Sequence, residues 1–238
     1  MVDSIRLRRS MLVGGIGVGL SLAGLFLAFP ELDLMVARSM GSCPWRVALT
    51  GTCTAEIWLA VARNGFRLIM LIAAIAVLTG LISSFRAHGL KRGVGHAPWL
   101  YLAVCLIVGP GLVANLVLKD HWGRARPRDV SEFGGTKKFT PALIPARECD
   151  RNCSFVSGEA AAVYMPFFAA ALVASKGRIA LIGIGCVLGS MAGAVRMAQN
   201  AHFLSDVLFA GVFMVLTAAL LHIVFFAHRR GGQSTVLQ

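Results

Sequence analysis

Three short stretches of this 238-residue chain put charged and nucleophilic side chains where long apolar runs begin or end. The first runs from Lys119 to Arg126 and Pro127. The two cations are seven residues apart, about two turns of helix, so both can point the same way until Pro127 stops the helix. Lysine brings a point charge, and arginine a planar fork that grips phosphate oxygens in pairs. The second stretch holds Ser154, Ser157, Gly158 and Glu159 at the start of an apolar run. A helix start offers free N–H groups to an anion, Gly158 permits close backbone approach, and Ser157 can donate a hydroxyl. Glu159 lies just inside the apolar helix, where it must be protonated or paired with a cation. The third stretch holds Arg196, His202 and Asp206. A spacing of four puts His202 and Asp206 on one helix face, and a carboxylate on one ring nitrogen fixes the tautomer and frees the other nitrogen to attack. Plainer readings exist for each: cations snorkelling to head groups, an ordinary N-cap, and a polar pair bridging helices. Together, three cations, a helix N-terminus and a His–Asp pair suit phosphoryl transfer, where catalysis is mostly positioning and charge stabilisation.

Long apolar elements must position these groups. The chain is 57% hydrophobic and 14% charged, with mean hydropathy +0.73. That excludes a disordered chain and argues against an ordinary cytosolic globule. A spanning helix needs about 20 apolar residues. Six segments qualify, at 11–29, 66–84, 98–118, 155–175, 179–195 and 203–227. The expected fold is therefore an all-α, six-helix transmembrane bundle forming a single membrane domain over 1–238. The first run follows Arg6, Arg8 and Arg9 as in a signal peptide, but it is long and no small-x-small site follows, so a retained helix is expected.

Orientation follows from basic residues in short loops. With the N-terminus cytoplasmic, the cytoplasmic pieces carry Arg6, Arg8 and Arg9, then Arg86, Lys91 and Arg92, then Lys176 and Arg178, and last Arg229 and Arg230. Both termini are then cytoplasmic. The exterior 119–154 loop breaks the pattern with eight Lys and Arg residues, partly offset by five acids, and phosphate binding would explain it. Its prolines and Gly134–Gly135 mark it as long and irregular, which is a functional signal. Cys43 and Cys53 share one exterior loop and Cys149 and Cys153 the other, suggesting two disulfides in an oxidising compartment such as a periplasm. Cys105 and Cys186 fall inside spans as plain core thiols. Of six histidines, only His121 and His202 lie on the exterior side, and His202 has the acidic partner. The net charge of +12 is spread over both faces, which speaks for anionic lipids or phosphorylated substrates and against nucleic acid.

The three stretches resemble the signature of the type 2 phosphatidic acid phosphatase superfamily: K-x6-R-P, P-S-G-H and S-R-x5-H-x3-D. Lys119 to Arg126–Pro127 matches the first in full. Arg196, His202 and Asp206 match the third, with Val195 at its serine. The second matches at Ser157–Gly158, with Val156 at its proline and Glu159 at its histidine. The resemblance implies a metal-independent, cofactor-free phosphatase with its active site at the periplasmic ends of helices three to six. It implies that Lys119, Arg126 and Arg196 hold the phosphate and that Ser157 and the Gly158 backbone add hydrogen bonds. His202 would be the nucleophile, forming a phosphohistidine, and Asp206 its orienter.

The family's histidine at position 159 protonates the leaving group. Glu159 can replace it if burial keeps it protonated; nearby Arg or Lys would keep it ionised, able only to orient a cation or a water. His121 is a second candidate acid, and Arg124 an additional candidate at the phosphate. The Trp122–Gly123–Arg124 wording before Arg126–Pro127 is most similar to bacterial lipid A phosphatases. Lipid A, at its 1- or 4'-phosphate, is thus the expected substrate, in a bacterial inner membrane. Phosphatidylglycerophosphate, undecaprenyl pyrophosphate, a lipid phosphotransferase reaction, and an inactive lipid-phosphate-binding protein or transporter are the alternatives. The expected partners are the phosphorylated lipid and the bilayer, with no obligate protein partner.

Overall fold

A computed structural model describes residues 2–41, 54–88 and 95–226. Among these the chain is helical, without a named strand. The helices are α1 (Val2–Ala28), α2 (Glu31–Met40), α3 (Thr54–His88), α4 (His96–Lys119), α5 (Gly158–Val173), α6 (Arg178–Ala198) and α7 (Leu204–Phe226). Five of them, α1, α3, α4, α6 and α7, are long and apolar enough to cross a membrane. The remaining expected span corresponds to α5, an apolar helix of 16 residues that is shorter than the other five. Large apolar side chains such as Val13, Leu20, Leu68, Ile72, Ile179 and Val224 point outward, as expected for helices that meet lipid instead of water. Cys186 is on that outer surface as well, not in the core where the sequence reading put it; Cys105 is buried. Cys43 and Cys53 lie outside the described residues.

The short α5 is the hub. It packs against α6 and α7 most extensively and also touches α1, α3 and α4. Small residues on both sides allow this: Ala160, Ala161, Ala169 and Ala171 of α5 are buried, and Gly185 and Gly189 of α6 lie against Phe167 and Tyr164. Helices without a hydrophobic driving force between them associate through such close contact. α1 packs along α7, with Met11 and Phe26 in the core.

Two features differ from the apolar-run reading. α3 starts at Thr54, twelve residues before the expected span, and so carries Arg63 and Arg67 within the helix. α4 changes after Leu106 into a wider π-helical winding over Ile107–Lys119, with Pro110 inside it. Asn115 Nδ2 donates to Pro110 O at 2.7 Å there.

The 120–157 connection is irregular but well tied down. Its short 3-10 turns lie at Pro127–Asp129 and Ser131–Phe133. Trp122 Nε1 donates to Ala142 O, and Ala146 and Glu148 N–H groups return to Trp122 O and Gly123 O. Gly123 has φ +71°, and a Cβ there would run into Ala146 O, so only glycine fits. A Cys149–Cys153 disulfide closes the end of the loop, and the Cys153 N–H reaches back to Lys119 O. The loop thus returns the chain to the end of α4 just before α5 begins.

Candidate active site

The end of α4, the starts of α5 and α7 and the end of α6 meet at one end of the bundle. His202 is 1% exposed there, just ahead of α7. Its Nδ1 lies 2.7 Å from Ser154 O. A carbonyl can only accept, so Nδ1 carries the hydrogen and Nε2 keeps the lone pair. Asp206 Oδ2 is 3.7 Å from the same nitrogen, too long for a hydrogen bond. The expected direct His–Asp bond is thus replaced by a backbone carbonyl, with Asp206 acting through its neighbours. Asp206 accepts from Ser154 Oγ at 2.5 Å, from Arg124 Nη1 at 2.6 Å and from the Phe203 N–H at 2.8 Å. It therefore holds the residue whose carbonyl holds His202. Burial pushes the His202 ring down to about 4, helped by the Lys119 and Arg126 cations and opposed by Asp206.

Arg124 is the centre of this support and not a phosphate ligand. Its side chain is wholly buried, and it donates to Thr140 O, Ser205 Oγ, Asp206 Oδ1 and Asp33 Oδ2 at 2.6–2.9 Å. Its guanidinium carbon lies 4.4 Å from the Phe203 ring centroid. Four of its five N–H bonds are used within the protein, so the sequence expectation for Arg124 is corrected. Asp33 of α2 completes the knot by accepting from the Ser205 N–H and Oγ at 2.9 and 2.6 Å. Burial raises the Asp33 carboxyl above its ordinary range, while Arg124 works against the rise.

Arg126 reaches the site differently from the expected helical repeat. The helix ends at Lys119, and Arg126 arrives on the irregular loop. Its Nε and Nη2 donate to Asn152 O at 3.1 and 2.6 Å, and burial lowers its affinity for the proton, with Arg128 acting the same way. Ser157 is the N-cap of α5, accepting from the Ala160 N–H, while its own N–H donates to Asp206 O. A Cβ on Gly158 would collide with Asn115 Oδ1 and lie 3.3 Å from Lys119 Nζ. The glycine lets α5 sit directly against the end of α4.

Lys119, Asn115, Gly158 and Glu159 line a cavity of about 340 Å³ between α3, α4, α5 and α6. Its apolar lining is Phe66, Met70, Ala162, Val163, Ala192 and Val195. Glu159 does not stand alone in it. Arg63 contacts its carboxylate at 2.6 and 2.8 Å, Arg196 Nε at 3.1 Å and Arg67 at 3.4 Å. Arg196 also binds the Gln199 side chain. Of the two alternatives for Glu159, the structure has the paired one: a carboxyl group ringed by guanidiniums is an acceptor with no proton to offer. His121, the second candidate acid, is exposed and its Nδ1 donates to the Leu116 and Val117 carbonyls of α4; like His202, Arg126, Ser157 and Arg196, it is not among the residues lining the cavity.

Sequence reading missed Arg63, Arg67, Asp33 and Asn115. A signal existed for the first two, since arginines four apart inside an apolar helix share one face and demand a partner. Asp33 lies on a short helix that the apolar-run criterion passes over. Among the described residues, no three His, Cys, Asp or Glu side chains gather as metal ligands would.

Comparison with known proteins agrees with the family resemblance. The sequence pattern of the PAP2 superfamily matches residues 98–230. The chain is 35% identical over 193 residues to a lipid A 4'-phosphatase of Francisella tularensis subsp. novicida, covering 81% of this chain and 85% of the relative. It is 33% identical over 211 residues to a lipid A 4'-phosphatase of Rhizobium leguminosarum, covering 84% and 91%. A protein of the same name from Rhizobium etli is 32% identical over 211 residues, covering 84% and 82%. No solved structure matches the chain.

Proposed function

We propose a lipid A phosphatase activity for this chain, which belongs to the PAP2 superfamily, and assign the cleavage to the 4'-phosphate. The position rests on the three relatives named for it. The observation that carries the chemistry is the His202 ring, whose Nδ1 is engaged by Ser154 O and whose other nitrogen is therefore the nucleophilic one. Lys119 and Arg126 bias that ring toward its neutral, attacking form.

His202 Nε2 attacks phosphorus, and the bond between phosphorus and the sugar oxygen breaks. The departing oxygen keeps the electron pair and takes a proton from solvent. Water then attacks the phosphohistidine, the P–N bond breaks, and inorganic phosphate and the neutral ring are released. Lys119, Arg126 and Arg196 would carry the charge on the transferring group, with the Ser157 hydroxyl and the Gly158 N–H at the start of α5 as further donors. Glu159 would orient Arg196 instead of donating a proton. A site at the ends of apolar helices, two of whose groups, Lys119 and Gly158, line a cavity with an apolar wall, suits a phosphate on a lipid anchor.

The Cys149–Cys153 disulfide lies beside Lys119 and favours placing the site on the oxidising side of the membrane, facing the periplasm with both termini cytoplasmic. The test is phosphate release from purified lipid A, phosphatidylglycerophosphate, phosphatidic acid and undecaprenyl pyrophosphate in EDTA, wild type beside His202→Ala. Release from lipid A by the wild type alone is expected. Release from none of them overturns the reading, and preference for another lipid reassigns the substrate.

A further inference from the structure

The cavity holds more positive charge than one reacting phosphate needs. Arg63, Arg67 and Lys119 line it with a single carboxylate, Glu159, and Arg196 joins Arg63 and Arg67 in pairing with that carboxylate. Arg63 and Arg67 come from α3, which contributes nothing to the three signature stretches. Phe66 and Met70 continue the face they share down into the cavity. The Arg63 and Arg67 side chains are 31% and 57% exposed, so a ligand can reach them. Arg63 is gripped by both oxygens of Glu159, at 2.8 and 3.1 Å from its Nε. Arg67 meets the same carboxylate only at 3.4 Å, which engages little of its five-donor fork. Uncompensated cations at the level of an apolar wall call for an anion. Two of the three departures from the family signature, Glu159 and Val195, line this same cavity.

We propose that Arg67, with Arg63 behind it, forms a second anion subsite for a second negatively charged group on the headgroup of the same lipid. The proposal rests on the lipid A reading above, and in lipid A that group is the 1-phosphate. Glu159 is then a fixed counter-anion. It holds Arg63 and Arg196 in place between the two subsites and leaves Arg67 to the ligand. Arg67 is thus a specificity-determining residue: it does not touch the reacting phosphate, and it distinguishes doubly from singly charged headgroups.

Binding to the His202→Ala protein in nanodiscs tests this apart from turnover. The probes are lipid A with both phosphates and lipid A with the 4'-phosphate alone. A charge-assisted arginine contact predicts about tenfold tighter binding of the doubly phosphorylated lipid. Adding Arg67→Ala should bring the preference below about twofold, and Arg67→Lys should keep part of it. Should Arg67→Ala not fold, Arg67→Gln carries the same expectation. Equal affinities for the two lipids, or a preference that survives loss of Arg67, overturn the proposal. If millimolar inorganic phosphate abolishes the preference without displacing the lipid, the subsite serves free phosphate and the headgroup assignment falls. Hydrolysis of the singly phosphorylated lipid by the wild type is the separate arm: its failure counts against the phosphatase reading, not against the subsite.

Discussion

Two clusters of arginine and carboxylate lie at the same end of this bundle and are built in opposite ways. Around Arg124 one cation meets two acids, Asp33 and Asp206, and all three side chains are at most 1% exposed. Around Glu159 three arginines meet one acid, with exposures from 9% to 57%. The first cluster is sealed and has no room in its charge balance for an anion. The second is open and has cations to spare. Identical residue types thus form a scaffold in one place and, in the reading proposed above, a ligand-recognition surface in the other. Burial and charge ratio separate the roles. The Arg124 knot holds Asp206, Ser154 and through them His202, so it governs geometry; the Glu159 cluster is the one we propose to meet the ligand.

The sharpest way to break this comparison is to remove each arginine in turn. Arg124→Ala leaves two buried carboxylates without their cation, and a loss of about 3–5 kcal/mol of stability is expected, read as a lowered melting temperature in detergent. Arg196→Ala should leave melting nearly unchanged and lower kcat/KM for phosphate release about a hundredfold. Comparable melting losses in both variants would mean that the two clusters do the same work.

Close packing of α5 on α4 gives a smaller effect. Gly158→Ala drives a methyl group into Asn115 Oδ1 and should lower turnover about tenfold through misplacement of the α5 start. Trimming the partner as well, in Gly158→Ala with Asn115→Ala, should recover part of it. No recovery would place the fault in the N–H donation of the α5 terminus and not in the collision.

The pH profile sharpens the scaffold side. Because burial holds His202 down to about 4, the attacking ring stays neutral as pH falls through 6.5 and is lost only on approach to 4. The acid limb of kcat/KM for the wild type should therefore fall below about pH 5. An inflection near the usual histidine value of about 6.5 would show that the ring is less sealed than the structure has it. The smallest effect concerns Arg67. Its exposed, long contact to Glu159 predicts a stability change within about 1 kcal/mol on Arg67→Ala, while the headgroup preference disappears.

Much of the candidate site is legible in the sequence, because its signals are local. Lys119, Arg126, Ser157, Gly158, Arg196 and His202 stand at the ends of apolar runs, and the up-and-down course of those runs brings the ends together. The failures share a cause. The two-turn spacing of Lys119 and Arg126 presumed a helix that stops at Lys119. Arg124 and Arg126 look alike in the sequence and differ only in what surrounds them. The four-residue spacing of His202 and Asp206 suggested a direct bond, yet His202 lies ahead of the helix start at Leu204, so helical geometry does not govern the pair.

Apolar run length and the order of charged stretches, which depend on near neighbours along the chain, determined the all-helical architecture, the membrane-scale helices and the family. Tertiary structure alone decided which arginine is sealed and which is exposed, what fixes the His202 tautomer, and what pairs with Glu159. Those outcomes rest on partners far apart in the chain: 48 residues for His202 and Ser154, 82 for Arg124 and Asp206, 96 for Arg63 and Glu159, and 172 for Ser205 and Asp33. Periodicity says which face of a helix is apolar; packing of one helix end against another says which polar groups meet there.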